Sequence, residues 1–510
     1  MKSLVRAVPV SAPGPSLQDN TGDLDRLKRV LRVQLEGTPL YCPFARMGKI
    51  AGRFRESSFQ GSAVLNDLGC CWELVDFLPA EPGLFPGIAL DLGTSHLEAV
   101  LVDMMTGEEK ARAARAHSQG EFGPDVLTRI HYASSPGGLN RLQERVAADI
   151  NSLASELANE LGIGVREIRG MSLAGNTAMT HFLLGLDPYH LCREPYIPVV
   201  NSVDTLHAQD LGLDIHSHAP VWVAPNVGSY FGGDLLAGII ACDLDLEEHP
   251  SLLIDVGTNA EVVLGGREFL LACAGAAGPA LEGGVAKMGM QASQGAIDQV
   301  RIHPDTRELD FFTIGGQAPR GICGSGLIDL AAGMYMAGMI DTRGRLVPEN
   351  VPERYIRDEH DPAFVVAWAK DTEHGRDIVV SQSDLNALIR SKAAMYAVLS
   401  TLVEQLGLTF ADLGRINVAG AFGRHIEPGR AVVLGMLPDL PLETYQPVGN
   451  TSLKGAVKVL THQEARQRIR EAAQRITYIE LNVNQEFMHR FSGARFIPHT
   501  NRELFPSVPV

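Results

Sequence analysis

The sequence contains little cysteine, little positive charge and no long apolar run. Seven cysteines occur among its 510 residues, and the formal net charge is −16. No C-x-x-C pair or ferredoxin-type cysteine spacing is present, so we expect no iron–sulfur cluster. The acidic balance argues against nucleic acid or an anionic membrane as the main partner. Because no stretch of about 18 apolar residues occurs, we predict no membrane-spanning helix.

Several common catalytic motifs are absent as well. The Gly48-Lys49 pair lacks the preceding glycine spacing of a P-loop, and no G-x-S-x-G or H-E-x-x-H motif occurs. We therefore interpret the scattered histidines as surface or core residues. An odd number of dispersed cysteines, and an N-terminus without a sustained apolar core, predict a cytoplasmic protein.

The most informative stretch is Ser251–Gly265, which reads SLLIDVGTNAEVVLG. An apolar run leads into Asp255, a Gly-Thr-Asn turn follows, and a second apolar run comes next, which predicts a strand, a tight turn and a strand. Gly257 allows close approach of the backbone, and the following amides suit a phosphate. Asp255 could hold the water shell of Mg²⁺. Alone, this hairpin is a weak signal.

The same pattern occurs earlier in the chain. Residues 87–103 read GIALDLGTSHLEAVLVD, with Asp91 in the place of Asp255. A second pair of motifs follows in the same order, since IRGMSLAGNTAM at 168–179 resembles GRINVAGAFGRH at 414–425. Internal repetition of this kind predicts two similar α/β halves, each with a phosphate hairpin, and a nucleotide in the cleft between them.

This layout resembles the superfamily of acetate and sugar kinases, heat-shock chaperones and actin. Within it, the chain resembles the ATP-dependent reductive activators of corrinoid proteins from about residue 24 onward. The motifs that carry the resemblance are LDLGT (90–94), SLAGNTAMTHFLLGLDP (172–188), FGGDLLAG (231–238), DVGTNAE (255–261), GPALEGG (278–284), GAIDQVRI (295–302), GICGSGLIDL (321–330), VAGAFG (418–423), LGMLPDLP (434–441) and ITYIEL…FMHRF…FIPHT (476–500).

The resemblance implies an α/β fold with duplicated actin-like (ribonuclease H-like) ATPase halves around a nucleotide cleft, preceded by a small α+β domain. We predict a flexible N-terminal segment at 1–23 and a small middle-type domain at 24–86. The first ATPase half is expected at 87–250 and the second at 251–510.

The resemblance also implies roles for individual residues. Asp91 and Asp255 are expected to flank Mg²⁺ and the phosphates of ATP as catalytic and metal-binding groups. The expected phosphate contacts are Gly93, Thr94, Ser95, Gly257, Thr258 and Asn259. Gly420 and Gly423 resemble the adenosine-contacting turn, although a plain left-handed turn after a strand gives the same pattern. Glu261 could orient the attacking water or could be a solvent-facing strand residue.

The cysteines separate this chain from its relatives. Related activators of acyl-CoA dehydratases hold a cluster between two subunits, but the sequence around Cys273 and Cys323 departs from theirs. A small buried cysteine is the simpler interpretation of both, and packing rather than redox chemistry explains the Cys70-Cys71 pair. Members of the corrinoid activator family usually carry an iron–sulfur domain, whose ligands are missing here.

We therefore expect an ATPase that assists reduction of Co(II) corrinoid to Co(I) on a corrinoid protein. The electrons would come from a separate low-potential, ferredoxin-like donor, and a homodimer is compatible with the family. One alternative is a small-molecule kinase, although no acceptor base is identified. Another is a non-redox, chaperone-like module that loads cobalamin or holds its partner.

Overall fold

The computed structural model describes residues 2–257, 260–275, 286–481 and 485–509. The chain forms two compact units. The first contains Met1–Ala241 and Ser452–Gln474, and the second contains Cys242–Thr451 and Arg475–Val510. Within the described ranges, no helix combines the length and the apolar character that crossing a bilayer requires.

A small α+β domain opens the first unit. Its strands pair in the order β1-β3-β4-β2, and Leu27 and Leu31 of one helix and Ile50 and Phe54 of the other are buried in its core. Its elements are β1 (Val5–Ser11), α1 (Asp23–Gln34), β2 (Leu40–Tyr41), α2 (Phe44–Glu56), β3 (Gln60–Asp67) and β4 (Trp72–Leu78).

The N-terminal segment contains a strand where we predicted a mobile lead-in at 1–23, so that prediction is wrong for Val5–Ser11. Strand β1 pairs antiparallel with β3 along its whole length. Its Pro9 obscured the pattern, because proline cannot donate a ladder hydrogen bond. An edge strand tolerates proline, and β1 lies at the edge of its sheet.

The second part of the first unit is built on a six-stranded sheet of order β7-β6-β5-β8-β10-β9. Its elements are β5 (Pro86–Leu92), β6 (His96–Asp103), β7 (Glu109–Ala116), α3 (Val126–Ala133), α4 (Gly138–Glu160), β8 (Met171–Gly175), α5 (Thr177–Leu184), β9 (Leu206–His207), β10 (Pro220–Val223) and α6 (Gly233–Ala241). Helix α4 has the apolar spacing of an amphipathic helix, and its Leu142, Val146 and Ile150 are buried in the core of this half.

The second unit is built on a sheet of order β21-β20-β11-β12-β13-β22, with two smaller three-stranded sheets, β15-β14-β16 and β17-β18-β19. The strands from residue 251 onward are β11 (Ser251–Val256), β12 (Ala260–Gly265), β13 (Leu270–Gly275), β14 (Ala296–Ile302), β15 (Leu309–Thr313), β16 (Gly321–Ile322), β17 (Tyr355–Ile356), β18 (Ala363–Ala367), β19 (Ile378–Ser381), β20 (Arg415–Ala419), β21 (Tyr445–Gly449) and β22 (Ile476–Tyr478). The helices from residue 251 onward, of either unit, are α7 (Gly324–Met336), α8 (Gln382–Glu404), α9 (Gly420–His425), α10 (Pro428–Leu434), α11 (Thr451–Thr461), α12 (Gln463–Arg475) and α13 (Gln485–Ala494).

The two large sheets repeat one strand order. In the first, β7-β6-β5-β8-β10 follow one another, and in the second β13-β12-β11-β20-β21 do. In each, the first three strands form an antiparallel meander, and the next two are parallel to the central strand. The duplication inferred from the two sequence motifs is therefore confirmed.

Helices α11 and α12 depart from the predicted boundaries, because 452–474 belongs to the first unit rather than to the second half. Lys458 Nζ donates to Ile240 O at 2.9 Å, and Ser172 Oγ donates to Ala456 O at 2.6 Å. A Cβ on Gly455 would lie 2.1 Å from Ala237 O, so the helix packs directly against backbone. These contacts between residues far apart in sequence could not be read from local patterns.

Candidate functional site

Asp91 lies at the end of central strand β5 and is half-buried. Its Oδ1 accepts a hydrogen bond from Ser452 Oγ at 2.6 Å. Ser452 is the second residue of α11 and is 361 positions away from Asp91. One carboxylate oxygen of Asp91 therefore has a fixed direction before any ligand binds.

The turn after Asp91 is held by several hydrogen bonds. Gly93 N donates to His96 O at 3.1 Å, and a Cβ at Gly93 would lie only 2.7 Å from that oxygen, so the turn requires glycine. Thr94 Oγ1 accepts from Asn176 Nδ2 at 3.0 Å. Ser95 O accepts from the backbone N–H of His117 at 2.8 Å. The predicted phosphate residues Gly93, Thr94 and Ser95 thus form one ordered turn.

Two further polar residues reach the same edge of the first sheet. Strand β8 is parallel to β5, with Leu92 opposite Gly175, so Asn176 follows at the carboxyl end of the sheet. Asn176 caps α5, since its Oδ1 accepts from Met179 N at 3.0 Å. A Cβ at Gly232 would lie 2.6 Å from Asn176 Cα and 2.5 Å from Asp234 Oδ1. In α/β sheets, ligands bind at this edge.

Asp255 occupies the matching position of the second unit. It lies on central strand β11, opposite Ala419 of β20 and opposite Glu261 of β12. Gly420 follows β20 with a φ of +73°, and a Cβ there would lie 2.9 Å from Asp255 Oδ1. Gly423 is equally constrained, because its Cβ would lie 2.1 Å from Val418 O. Gly420 is therefore required by its left-handed backbone beside Asp255, and Gly423 by its close approach to Val418 O.

The second turn is described only in part. Gly257 forms a bend directly after β11. Thr258 and Asn259, which we predicted as phosphate contacts, lie outside the described residues. The Gly-rich motif at 278–284 also lies outside them.

Each hairpin pairs its aspartate with a glutamate on the next strand. Asp91 lies opposite Glu98, and Asp255 lies opposite Glu261. Directly opposite residues of an antiparallel pair project from the same face. Glu98 forms an ion pair with Arg112 Nη1 at 2.9 Å, whereas Glu261 is half-buried and lies opposite Ala274 of β13. Sequence analysis noted Glu261 but missed Glu98.

Ser452, Asn176 and Asp234 were also not assigned roles from the sequence. Asn176 lies inside the quoted SLAGNTAM motif, and Asp234 opens the FGGD helix, so both carried a local signal. Ser452 carried no local sequence signal, because its hydrogen-bond partner Asp91 is remote in sequence.

The cysteines fall into two environments. Cys273 and Cys323 are buried, as predicted, and burial raises the pKa of the Cys273 thiol well above its usual range. Cys70 is exposed, contrary to a packing role, and its Sγ lies 3.7 Å from that of Cys71. Among the described residues, no group of three or more potential metal ligands includes a cysteine.

Comparisons with known families cover nearly the whole chain. Residues 249–509 match the C-terminal domain of RACo, the ASKHA domain. Residues 86–247 match the RACo middle region, and residues 1–82 match the RACo linker region. The small N-terminal domain, which we likened to a middle domain, is thus the part matched by the linker region.

Individual relatives agree with the family match. The corrinoid activation enzyme RamQ of Eubacterium limosum is 30% identical over 484 residues, which cover 92% of this chain and 79% of RamQ. A [Co(II) methylated amine-specific corrinoid protein] reductase of Methanosarcina barkeri is 25% identical over 421 residues, or 77% of this chain and 73% of the reductase.

A solved structure extends the agreement to the fold. The reductive activator for a corrinoid, iron–sulfur protein is 36% identical and superposes with a TM-score of 0.90. The match covers 100% of this chain and 81% of the other. Together with the ASKHA match, it confirms the predicted actin-like fold. The chain therefore belongs to the RACo family of reductive activators of corrinoid proteins.

Proposed function

We propose that the protein binds and hydrolyses Mg-ATP to assist the reduction of Co(II) to Co(I) on a corrinoid protein. The observation that carries this proposal is the matched pair of aspartates. Asp91 and Asp255 occupy the same position on the central strands of two sheets with the same strand order. Two independent turn-capping aspartates would have no reason to match in this way.

The residues around both aspartates suit Mg²⁺ and phosphate. Carboxylate oxygens are ligands that Mg²⁺ takes directly or through its waters. Mg²⁺ neutralises phosphate charge. Gly93 and Gly420 stand where a Cβ would meet a backbone or carboxylate oxygen of the protein within 3 Å, so glycine is needed for the turn beside each aspartate. Ser452 keeps Asp91 oriented.

Phosphoryl transfer to water needs positioning and charge stabilisation more than covalent chemistry. We assign Asp91 and Asp255 to the metal, and Gly93, Thr94, Ser95, Gly257, Thr258 and Asn259 to the phosphates. Gly420 and Gly423 are assigned to the adenosine. Glu261 is assigned to orienting the attacking water, because it projects from the same sheet face as Asp255.

The electron is proposed to come from a separate, ferredoxin-like protein of low potential. The cysteine spacing supports this, because the sequence contains no C-x-x-C pair and no ferredoxin-type run of cluster ligands. Anaerobic iron and acid-labile sulfide analysis after reconstitution tests it. Stoichiometric iron with a matching EPR signal would instead make this chain its own electron carrier.

The partner is tested by titrating a corrinoid protein from the same cells under ATP, ADP and a non-hydrolysable analogue. Coupling of nucleotide to partner is reciprocal, so the affinity for the corrinoid protein should differ between nucleotide states, and the partner should alter nucleotide affinity equally. With a low-potential donor added, the Co(I) absorption band should grow only while ATP is hydrolysed. Light scattering of the same samples measures whether a homodimer forms.

Two results would redirect the proposal. Equal affinity in all three nucleotide states, with ATP turnover indifferent to corrinoid proteins, would favour the kinase alternative, which a phosphorylated small-molecule product would establish. Partner-stimulated turnover without any change in cobalt oxidation state would favour the chaperone-like alternative.

A further inference from the structure

Three potential metal ligands meet where the small domain contacts the first actin-like half. They are Glu73 on β4, His207 at the end of β9, and His218 just before β10. One carboxylate oxygen and one ring nitrogen from each histidine lie within 4.8 Å of one another. Within the described ranges, this is the one group of three or more histidine, cysteine, aspartate or glutamate side chains arranged in this way.

Glu73 is held in place by its neighbours. Its side chain is only 3% exposed, and His207 Nε2 lies 2.9 Å from Glu73 Oε2. Asn66, directly opposite on β3, donates from Nδ2 to the same oxygen at 3.0 Å and to His218 O at 2.8 Å. Asn66 thus fixes both the carboxylate and the backbone of His218, as residues behind metal ligands do.

The cluster also contains two buried polar atoms without a partner. His218 Nδ1 and Asn66 Oδ1 are both inaccessible to solvent, and neither has a hydrogen-bond partner. Such atoms are rare in folded proteins and call for an explanation. A metal ion that binds the lone pair of one imidazole nitrogen would explain the unpartnered nitrogen of His218.

Two imidazoles and a carboxylate define the class of ion. This donor set suits Zn²⁺ and related divalent transition ions, whereas Mg²⁺ and Ca²⁺ prefer oxygen ligands. Bonds of about 2.0–2.2 Å at tetrahedral angles place ligand atoms roughly 3.4 Å apart. His207 Nε2 and Glu73 Oε2, now 2.9 Å apart, would therefore separate by roughly 0.5 Å. A pair at the 4.8 Å limit would close by roughly 1.4 Å. Asp210 Oδ2 lies 3.8 Å from His207 Nδ1. A movement of roughly 1 Å would bring this carboxylate within hydrogen-bond distance, where it would orient a metal-bound imidazole.

The surrounding charges are compatible with a cation. Burial and the charge of Arg46 lower the pKa of His218, whereas the hydrogen bond to Glu73 raises the pKa of His207. Arg46 opposes a cation, but its Nη2 lies 3.8 Å from the carboxylate of buried Asp76. Asp76 also pairs with Arg53 and Arg169.

We propose that Glu73, His207 and His218 bind a Zn²⁺-class ion that ties the small domain to the first actin-like half. Glu73 and His207 are 134 positions apart, so the ion would cross-link two segments that no local sequence spacing connects. The role is structural, and it is independent of the nucleotide residues.

The test uses the full-length protein, stripped of metal with a chelator and free of nucleotide. Calorimetric titration with ZnCl₂ should show one site, and Co²⁺ should give d–d absorption without a thiolate charge-transfer band. His218→Ala and Glu73→Gln should each weaken Zn²⁺ binding by roughly 100-fold. Zn²⁺ should raise the melting temperature of the wild type by a few degrees (about 2–4 °C), and should not raise that of either variant.

His216→Ala is the matched control. His216 lies on the same segment, its ring centroid is 6.4 Å from that of His218, and it is not one of the three ligands. It should bind Zn²⁺ as the wild type does. Cys70→Ser/Cys71→Ser separates adventitious thiolate binding from the proposed site. Unchanged affinity in Glu73→Gln and His218→Ala, or loss of binding in the cysteine double variant, would overturn the proposal.

Discussion

The two large sheets share a strand order but hold their central aspartates differently. In the first unit, Asp91 receives a hydrogen bond from Ser452, and the neighbouring Glu98 is neutralised by Arg112. In the second, Asp255 lies against the left-handed backbone of Gly420, and Glu261 lies opposite an alanine.

This difference shows that the position of each aspartate and its chemical surroundings are set by different parts of the structure. The strand order positions both aspartates, whereas the residues around them decide what each half contributes. Both glutamates project from the same sheet face as their aspartates, and Glu98 also forms an ion pair with Arg112. The proposed role of Glu261 in orienting water therefore predicts that the two glutamates differ in their effect on turnover.

The largest effect is expected at the aspartates themselves. Asp91→Asn and Asp255→Asn each remove one negative charge and hardly change side-chain shape. We expect each to lower Mg-dependent ATP turnover by roughly 100- to 1000-fold, as for other electrostatic catalytic groups. Phosphate release by the purified variants measures this, and thermal melts show that they remain folded. Wild-type turnover in one of them would mean that the matched positions do not share a role.

The glutamates provide the sharpest contrast between halves. Glu261→Gln should lower turnover by roughly 100-fold, in the range of a lost water-positioning group. Glu98→Gln is its matched control and should stay within about twofold of wild type, since an exposed ion pair contributes little. Equal losses in both variants, or none in Glu261→Gln, would leave Glu261 as a plain strand residue.

Substitutions of Ser452 and Gly420, which contact the two aspartates, should cause smaller losses of ATP turnover. Ser452→Ala removes a hydrogen bond to a carboxylate, which corresponds to about 1.5 kcal/mol or roughly tenfold in turnover, with little change in melting temperature. Gly420→Ala should lower turnover similarly but also destabilise the fold by about 1–3 kcal/mol, because alanine is strained at its positive φ. Steady-state turnover and thermal melts on both variants separate the two kinds of support.

Two buried aspartates should respond to pH in opposite directions. Burial raises the pKa of Asp149 in α4, but hydrogen bonds from His117 and Ser118 outweigh it and hold that pKa below its usual value. Burial raises the pKa of Asp329 in α7 to about 6. One oxygen of Asp329 accepts from Val300 N at 3.3 Å, and the other is buried without a partner.

The direction of each pH effect on stability depends on whether the folded or the unfolded chain binds the proton more tightly. Asp149 stabilises the fold above the pKa of the unfolded chain, and this contribution is lost as pH falls through the lower, folded pKa. Asp329 remains protonated in the folded state up to about pH 6, so the fold loses stability as pH rises from about 4 to 6 and stays weakened above that.

At pH 7, Asp149→Asn should therefore be destabilising and Asp329→Asn stabilising, the latter by up to about 2 kcal/mol. The Asp329→Asn difference should shrink as pH falls from about 6 to 4. The Asp149→Asn difference should persist down to about pH 4 and shrink only below it, because the folded pKa of Asp149 is lowered. Urea unfolding between about pH 3 and pH 7 measures both differences. A pH-independent difference for Asp329→Asn would mean that its carboxyl does not titrate abnormally.

Local sequence was sufficient for the central features of the fold. Asp91, Asp255 and Gly420 sit in motifs where an apolar strand runs directly into a polar glycine turn, and the repeat of those motifs predicted the duplicated sheets. Helix α8 also begins at a local signal, because the side chain of its N-cap residue Ser381 accepts a hydrogen bond from Asp384 N.

Features that depend on distant residues were missed. Ser452 and the remainder of 452–474 were assigned to the wrong half, because nothing in their composition identifies the unit against which they pack. His207 and His218 were dismissed for lack of metal-ligand spacing, since their third companion, Glu73, lies in another domain. Strand β1 was missed because Pro9 and the small residues after it resemble a linker.

The return of 452–474 to the first unit has a consequence for biosynthesis. The polypeptide passes between the units three times, after residues 241, 451 and 474. During translation, at about 5–20 residues per second, Ser452 leaves the ribosome on the order of half a minute after Asp91. A nascent chain cannot complete the hydrogen bond that orients Asp91 until synthesis is almost finished. The oriented carboxylate of Asp91 is therefore formed only after Cys242–Thr451, most of the second unit, has been made.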